Sequence, residues 1–526
     1  MKAKIDRFFP FLIFVPLILS GFVHLWNPIG TPEIDGDEGH YYRRAINTMQ
    51  GAPAEEVKVL GPNPSYDNPF FGQIFLASVL TLFNYPASLS SDNNINANSV
   101  GALFLSPRVT MGILAVIDTF LLFKIAERRY GIFVALISSM LFAVMPFSLE
   151  IRRVFLETLQ LPLILSSVLF ALYFRKQTIS PNNVILKKLC PNNMITIFIS
   201  GIFLGLAIFT KIPAFNMIPL IGILIYFNNK NTPLKALSLW LIPVVLIPAI
   251  WPLYAVVSSD FDKWLGGISY QTNREGAGIL SIRNLYEVDP ILVILGISGS
   301  IFAFVIRRDY FSFLWIIPYF IFFSVIAQVT NHNYIPLLPA FCLGGGLLIV
   351  EIYDVFRIFK SIIPRFIIPG IFFISIIGIG FAVTVSQIME DLTSTFFALY
   401  SAIIEKLPTH NNSVNDNQKN KVTIVGDNWI VSSFSWIPDY LYHNDHEFVR
   451  ISSHSKIDTK KVLFVVDARL RELMSNSTDD GKQFLRHQAA LKKLYDNSDI
   501  AAKFNFTTKG ILSKASRGQV EIRTNY

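Results

Sequence analysis

Residues 195–227 read ITIFISGIFLGLAIFTKIPAFNMIPLIGILIYF. Two apolar runs, Ile195 to Thr210 and Pro213 to Phe227, are joined by a tight turn whose only charge is Lys211. Lipid tolerates such runs only as helices, because a helix satisfies every backbone N–H and C=O within the segment. The pattern recurs along the chain, at Phe8 to Trp26, Arg108 to Ala126, Ile132 to Leu149, Leu159 to Phe174, Ala236 to Val257, Ile291 to Val305, Phe311 to Ala327, Ile335 to Val350 and Phe366 to Val385. Against a hydrocarbon core roughly 30 Å thick, this predicts a polytopic α-helical membrane protein with about eleven transmembrane helices.

Composition agrees. Of 526 residues, 52% are hydrophobic and 16% charged, against about 25% charged in a typical soluble domain. Mean hydropathy is +0.46. A disordered chain, a collagen-like repeat and an ordinary cytosolic enzyme are excluded. The two cysteines, Cys190 and Cys342, are too few for a disulfide framework. A net charge of +8 invites a nucleic-acid reading, but the basic residues fall in short clusters between apolar runs, as membrane topology places them.

The first run follows Lys2, Lys4 and Arg7. A cleaved signal peptide is the rival reading, disfavoured by the run's length and the lack of a small-x-small cleavage site. With a cytoplasmic N-terminus, the alternate loops carrying Lys124, Arg128 and Arg129, then Arg175, Lys176, Lys187 and Lys188, then Lys230 and Lys235, then Arg307 and Arg308, then Arg357, Lys360 and Arg365 also face the cytoplasm. An odd span count then exports everything after about Gln387, which suits sequons at Asn411, Asn476 and Asn505.

The expected organisation is therefore a transmembrane domain over 1–388, with a long first external loop over 27–107, and a linker plus a small extracytoplasmic α/β domain over 389–526. The loop's own apolar stretch, Pro69 to Phe83, reads as an interfacial or re-entrant helix, since a full span there would invert the charge pattern downstream. In the tail, Val422 to Val425 and Val462 to Val466 read as strands and Gly481 to Tyr495 as a helix.

The chemistry-bearing residues lie in the loops expected outside. The first loop opens Glu33-Ile34-Asp35-Gly36-Asp37-Glu38-Gly39-His40-Tyr41-Tyr42-Arg43-Arg44. Asp35 or Asp37 would cap the helix that follows, and a carboxylate at the positive end of a helix dipole stays ionised, as a general base must. Glu150, Arg152, Arg153 and Glu157 cluster at the external end of the third span, where charges beside hydrocarbon must pair or line a polar cavity. Lys211 and Arg274 offer further cations, and His332 and Tyr334 occupy another external turn. Asp118 lies within the second span, where a hydrogen-bonded structural role competes with a functional one. Acids and cations on one face suit group transfer from a lipid phosphate: a carboxylate takes the acceptor proton while cations stabilise the departing phosphate. No Walker A sequence is present, and none is needed.

At these residues the chain resembles a GT-C glycosyltransferase of the branch containing the dolichyl-phosphate-mannose protein mannosyltransferases and the bacterial aminoarabinose transferases. Asp37-Glu38-Gly39-His40-Tyr41 resembles that family's Asp-Glu motif of the first external loop. Tyr66-Asp67-Asn68-Pro69-Phe70-Phe71-Gly72 resembles its Pro-Pro-Leu-Gly stretch, with Phe70 in place of the second proline. Arg128-Arg129-Tyr130-Gly131 is similar to its Arg-Arg-x-Gly turn. Met145-Pro146 through Arg152, Arg153 and Glu157 is similar to the proline, arginine and second acid of the next external loop. Gly205-Leu206-Ala207-Ile208-Phe209-Thr210-Lys211 and His332-Asn333-Tyr334 resemble its later motifs.

The resemblance implies inverting transfer of one sugar from a polyprenyl-phosphate donor to a protein, lipid or glycan acceptor, in a multi-pass cell-membrane enzyme. Asp37 would be the base or acceptor-orienting acid, with Glu38 and Glu157 in support. Arg152, Arg153, Lys211, Arg274, His332 and Tyr334 would serve the donor phosphate, and Asp67, Tyr41 and Arg44 the acceptor or the loop. No cofactor is required, although Asp35, Asp37, Glu38 and Asp67 could hold a divalent cation. The Trp-Trp-Asp-Tyr-Gly signature of oligosaccharyltransferases does not occur, which disfavours whole-oligosaccharide transfer. A transporter or lipid flippase is the alternative, and a membrane scaffold that would lose its function with the tail is a third reading.

Overall fold

The computed structural model describes residues 9–51, 66–85, 96–173, 193–229, 231–273, 278–326, 328–359, 361, 363–407, 422–437, 447–451, 461–475, 485–506, 510–512 and 518–526. The chain forms two compact units: Met1–Pro28, Tyr66–Gly72 and Val109–Ile388 make the first, and Ile29–Ser65, Gln73–Arg108 and Met389–Tyr526 the second.

The first unit is a helix bundle. Among the described residues, helix covers most of each of the eleven apolar runs. Among the described residues, five helices are long and apolar enough to cross a membrane: Ala97–Tyr130, Leu156–Tyr173, Pro233–Val257, Asn331–Phe356 and Arg365–Ile388. Two bent pairs, Ile132–Val144 with Pro146–Arg152 and Ile282–Val288 with Pro290–Val305, raise that number to seven. Phe11–Leu25, Met194–Thr210, Ile212–Asn228 and Phe311–Val325 are shorter apolar helices, as is Phe71–Leu82 in the stretch read as interfacial, which belongs to the second unit from Gln73 on. The Pro233–Val257 and Arg365–Ile388 helices bury only 28% and 22% of their most apolar windows. Leu241, Val245, Leu246 and Leu253 are exposed on the first of these, a surface suited to lipid.

Apolar side chains gain little by leaving lipid for a neighbouring helix, so small residues that permit close backbone approach drive packing. A β-carbon at Gly299 would lie 1.9 Å from the Gly344 carbonyl oxygen, and one at Gly344 would lie 2.5 Å from that of Gly296. The Pro290–Val305 and Leu338–Phe356 helices therefore touch backbone to backbone.

Turns assigned to one side by the charge pattern meet in the folded unit. Arg129 pairs with Asp309 at 2.8 Å, and Arg307 pairs with Glu351. At the other set of turns, Arg152 reaches the Trp26 and Asn27 carbonyls, and Lys211 and Asn333 both reach Glu157.

The second unit contains a five-stranded mixed sheet of order β2-β1-β3-β5-β4, built from β1 (Thr423–Gly426), β2 (Glu447–Arg450), β3 (Val462–Val466), β4 (Asp499–Phe506) and β5 (Gly518–Thr524). β1 runs parallel to β2 and β3, with Ile424 opposite Phe448 and Leu463, while β5 is antiparallel to β3 and β4. β1 and β3 are buried at every position, and β3, Val462 to Val466, is apolar throughout while β1 carries Thr423. Val425, Val449, Phe464 and Val466 form the core with Leu470 and Leu491 of the covering helices. The same unit holds the Gly36–Met49 helix, the first part of the Ala97–Tyr130 helix up to Arg108, and the Ser394–Lys406 helix.

Candidate active site

In the second unit, the Gly36–Met49 helix begins at a full capping box. The Asp35 side chain accepts from the Asp37 amide at 3.0 Å, and Glu38 accepts from the Asp35 amide at 3.1 Å. Of the two candidate caps it is Asp35 that caps, and the reciprocal bond satisfies two of the amides a helix start leaves orphaned. Glu38 is completely buried, and Arg108 grips it with Nε to Oε1 at 3.2 Å and Nη2 to Oε2 at 2.7 Å. Arg108 also donates to the Pro32 carbonyl at 2.7 Å. Both Glu38 oxygens are thus held on the protein's own groups, whereas Asp37, one residue earlier in the first helical turn, is half-buried. Tyr41 and Arg44 are buried on the same helix.

In the first unit the hub is Glu157, 2% exposed at the start of the Leu156–Tyr173 helix. Its Oε1 receives Lys211 Nζ and Asn333 Nδ2, the latter at 2.8 Å, and His332 Nε2 lies 3.9 Å away. The Phe155 ring lies 4.5 Å from the His332 ring, centroid to centroid. Gln160 fixes the turn beneath Lys211, donating to the Ala207 carbonyl at 2.9 Å and to the carbonyl of Lys211 itself. An ammonium so placed has its charge balanced in a poorly solvated setting and can exchange its carboxylate partner for an incoming anion.

The remaining predicted residues differ in setting. Arg153 pairs with Glu150 at 2.8 Å, both buried. Arg152 places Nη2 on the carbonyls of Trp26 and Asn27, at 2.6 and 2.7 Å, just past the Phe14–Leu25 helix, a common use of arginine at a helix C-terminus. Tyr334 is enclosed and shares a 2.7 Å hydrogen bond with Ser281. Asp67 is half-buried beside Tyr66, whose hydroxyl donates to Asp260 at 3.3 Å. Asp118 is fully buried, and among the described residues neither of its carboxylate oxygens has a hydrogen-bond partner. Arg274 lies outside the described residues, as do Asn411 and Asn476. Among the described residues no group of three or more His, Cys, Asp or Glu side chains is arranged to hold a metal ion.

Three functional partners escaped the sequence reading. Arg108 appears in sequence only as the first residue of an apolar run, and Asn333 only as the middle of a His-x-Tyr motif. Gln160 had a signal that could have been used: it lies three residues after Glu157 in an apolar helix, and polar groups there need partners.

The chain has the fold of the GT-C glycosyltransferases. It is similar to the Archaeoglobus fulgidus oligosaccharyltransferase tethered with an acceptor peptide containing the NVT sequon, with TM-score 0.54 and 12% identity over 84% of this chain and 63% of that one. It is also similar to ArnT from Cupriavidus metallidurans bound to undecaprenyl phosphate, with TM-score 0.55 and 11% identity over 100% of this chain and 99% of that one. For the apo state of ArnT the values are 0.55 and 11%, over 99% and 98%. The chain thus spans 63% of the length of the archaeal oligosaccharyltransferase and nearly all of ArnT. No protein-family profile and no curated protein matches the sequence.

Proposed function

We propose that this chain is a membrane glycosyltransferase that moves one sugar from a polyprenyl-phosphate carrier to an acceptor on the extracytoplasmic side, with about eleven crossings, a cytoplasmic N-terminus and an exported tail. The fold likeness to ArnT bound to undecaprenyl phosphate supports a lipid-phosphate donor, and the peptide-bound oligosaccharyltransferase shows the kind of acceptor the fold accommodates elsewhere.

The observation that carries the reading is the position of Asp37 in the first turn of the Gly36–Met49 helix, half-buried at its positive end, where a carboxylate stays ionised as a general base must. In the proposed reaction the acceptor nucleophile attacks the anomeric carbon as the bond from that carbon to the phosphate oxygen breaks. The electron pair leaves with the phosphate, and Asp37 takes the acceptor's proton. Attack opposite the leaving group inverts the anomeric centre. Lys211, with His332 and Asn333 beside it, supplies the countercharge for the departing phosphate, and Glu157 holds the ammonium in place between turnovers. Arg152 and Arg153 act by bracing their turn, each tied to protein acceptors.

Mass spectrometry of cell-surface glycans and glycoproteins from cells lacking the chain tests this. Loss of one monosaccharide from a defined acceptor is expected, and an unchanged glycan profile contradicts it.

A further inference from the structure

The tail contributes more than an exported domain. The Gly36–Met49 helix lies against the Asn428–Phe434 helix, which directly follows strand β1, and the contact is made backbone to backbone. A β-carbon at Gly39 would sit 2.2 Å from the Ser432 carbonyl oxygen and 2.7 Å from the Ser433 Cα. Only glycine fits there without separating the helices. One turn further on, the Tyr42 ring stacks on Trp436, with centroids 5.1 Å apart and planes 26° apart. Phe104 meets both rings edge-on, at 5.2 and 5.8 Å. Arg43 Nη2 donates to the Ser435 carbonyl at 3.0 Å. From the other side, Ser433 Oγ bonds the Tyr400 hydroxyl at 2.6 Å, fixing the short helix to the Ser394–Lys406 helix. These are five separate contacts through one ten-residue stretch of the tail.

We propose that residues 428–437 position the Asp37 carboxylate: the Gly39–Ser432 approach sets the height of the Gly36–Met49 helix, and the Tyr42–Trp436 stack sets its rotation. Two helical residues subtend about 200°, so Gly39 packs on the tail while Asp37 occupies the opposite face. The domain is then part of the catalytic apparatus and not a detachable acceptor-binding module. The inference rests on the reading of Asp37 as the proton acceptor. Its magnitude follows from geometry: a methyl at Gly39 forces the backbones apart by roughly 1 Å, and misplacing a reacting group by that much costs on the order of 10²-fold in rate.

The test uses the full-length protein in lipid nanodiscs, a panel of undecaprenyl-phosphate monosaccharides as donors, and hydrogen–deuterium exchange of the amides of residues 37–49. Gly39→Ala and Trp436→Ala should speed exchange across that helix and lower kcat about 10- to 100-fold, with donor KM within about twofold of wild type. Trp436→Phe, which keeps the stacking face, should recover most of both. If Gly39→Ala fails to fold, the Trp436 pair decides. Wild-type exchange and kcat in Trp436→Ala would overturn the inference, as would a loss that Trp436→Phe does not relieve. Asp37→Asn separates the two layers. If it is inactive while Trp436→Ala is normal, positioning by the tail fails alone; if it is fully active, the role of Asp37 fails first.

Discussion

Arg108 and Glu38 form a two-point ion pair, Nε to Oε1 at 3.2 Å and Nη2 to Oε2 at 2.7 Å, with both side chains fully enclosed. Burying two charges is favourable only when each satisfies the other, and removing one strands its partner. Arg108→Met should therefore cost about 3–5 kcal/mol. Adding Glu38→Gln removes the stranded charge while keeping an acceptor for the Asp35 amide, so the double variant should melt above Arg108→Met alone. Thermal unfolding of the three proteins in one detergent checks the order.

Lys211 and Glu157 separate stability from chemistry. Lys211→Met leaves the enclosed Glu157 carboxylate with Asn333 as its remaining direct donor among the described contacts, and it should both destabilise the protein by several kcal/mol and abolish transfer. Combining Lys211→Met with Glu157→Gln should restore most of the thermal stability and none of the activity, because the countercharge for the phosphate is still missing. Recovery of transfer in the double variant would remove Lys211 from the reaction.

A close backbone contact in the bundle makes a purely structural prediction. Gly299→Ala places a methyl 1.9 Å from the Gly344 carbonyl and should destabilise by at least 1–3 kcal/mol, the usual range for overpacking. Gly266→Ala is the control. Nothing lies within 4 Å of that position, so the change should be neutral or stabilise by about 0.5–1 kcal/mol through helix propensity. Melting temperatures report both.

Tyr42 contributes its ring and not its hydroxyl. Burial, with Glu38 nearby, pushes the phenol well above its ordinary range, and the hydroxyl has no hydrogen-bond partner among the described residues. Raising the pH to 9 should therefore leave it protonated. Tyr42→Phe should match wild type in stability and in its pH–rate profile, while Tyr42→Ala should lose about 3–5 kcal/mol with the stack on Trp436. A changed pH profile in Tyr42→Phe would give the hydroxyl a role that the packing does not.

How much could be read from sequence depended on the range of each interaction. The apolar runs state their helices locally, and β1 and β3, buried throughout, state their strands in the same way. β2, β4 and β5 are absent from the sequence expectations, although Lys503-Phe504-Asn505-Phe506 alternates polar and apolar residues; β4 is an edge strand exposed along most of its length. The capping box was half legible: an acid three residues after Asp35 is its known signature, yet the choice between Asp35 and Asp37 needed coordinates. Long-range pairings left no local trace. Glu38 finds Arg108 seventy residues on, and Tyr42 finds Trp436 nearly four hundred residues on; neither separation has a period. For the same reason the bonds from Arg152 to the carbonyls of Trp26 and Asn27 left no trace in the sequence.

The central claim is that Asp37 takes the acceptor proton in sugar transfer from a polyprenyl phosphate. Purified wild-type and Asp37→Asn proteins, matched for thermal stability, should be given radiolabelled undecaprenyl-phosphate sugars and membrane acceptors. Label should move in the wild type and fall at least about 10²-fold in Asp37→Asn, in keeping with the weight of a general base. Equal transfer by the two proteins would contradict the account.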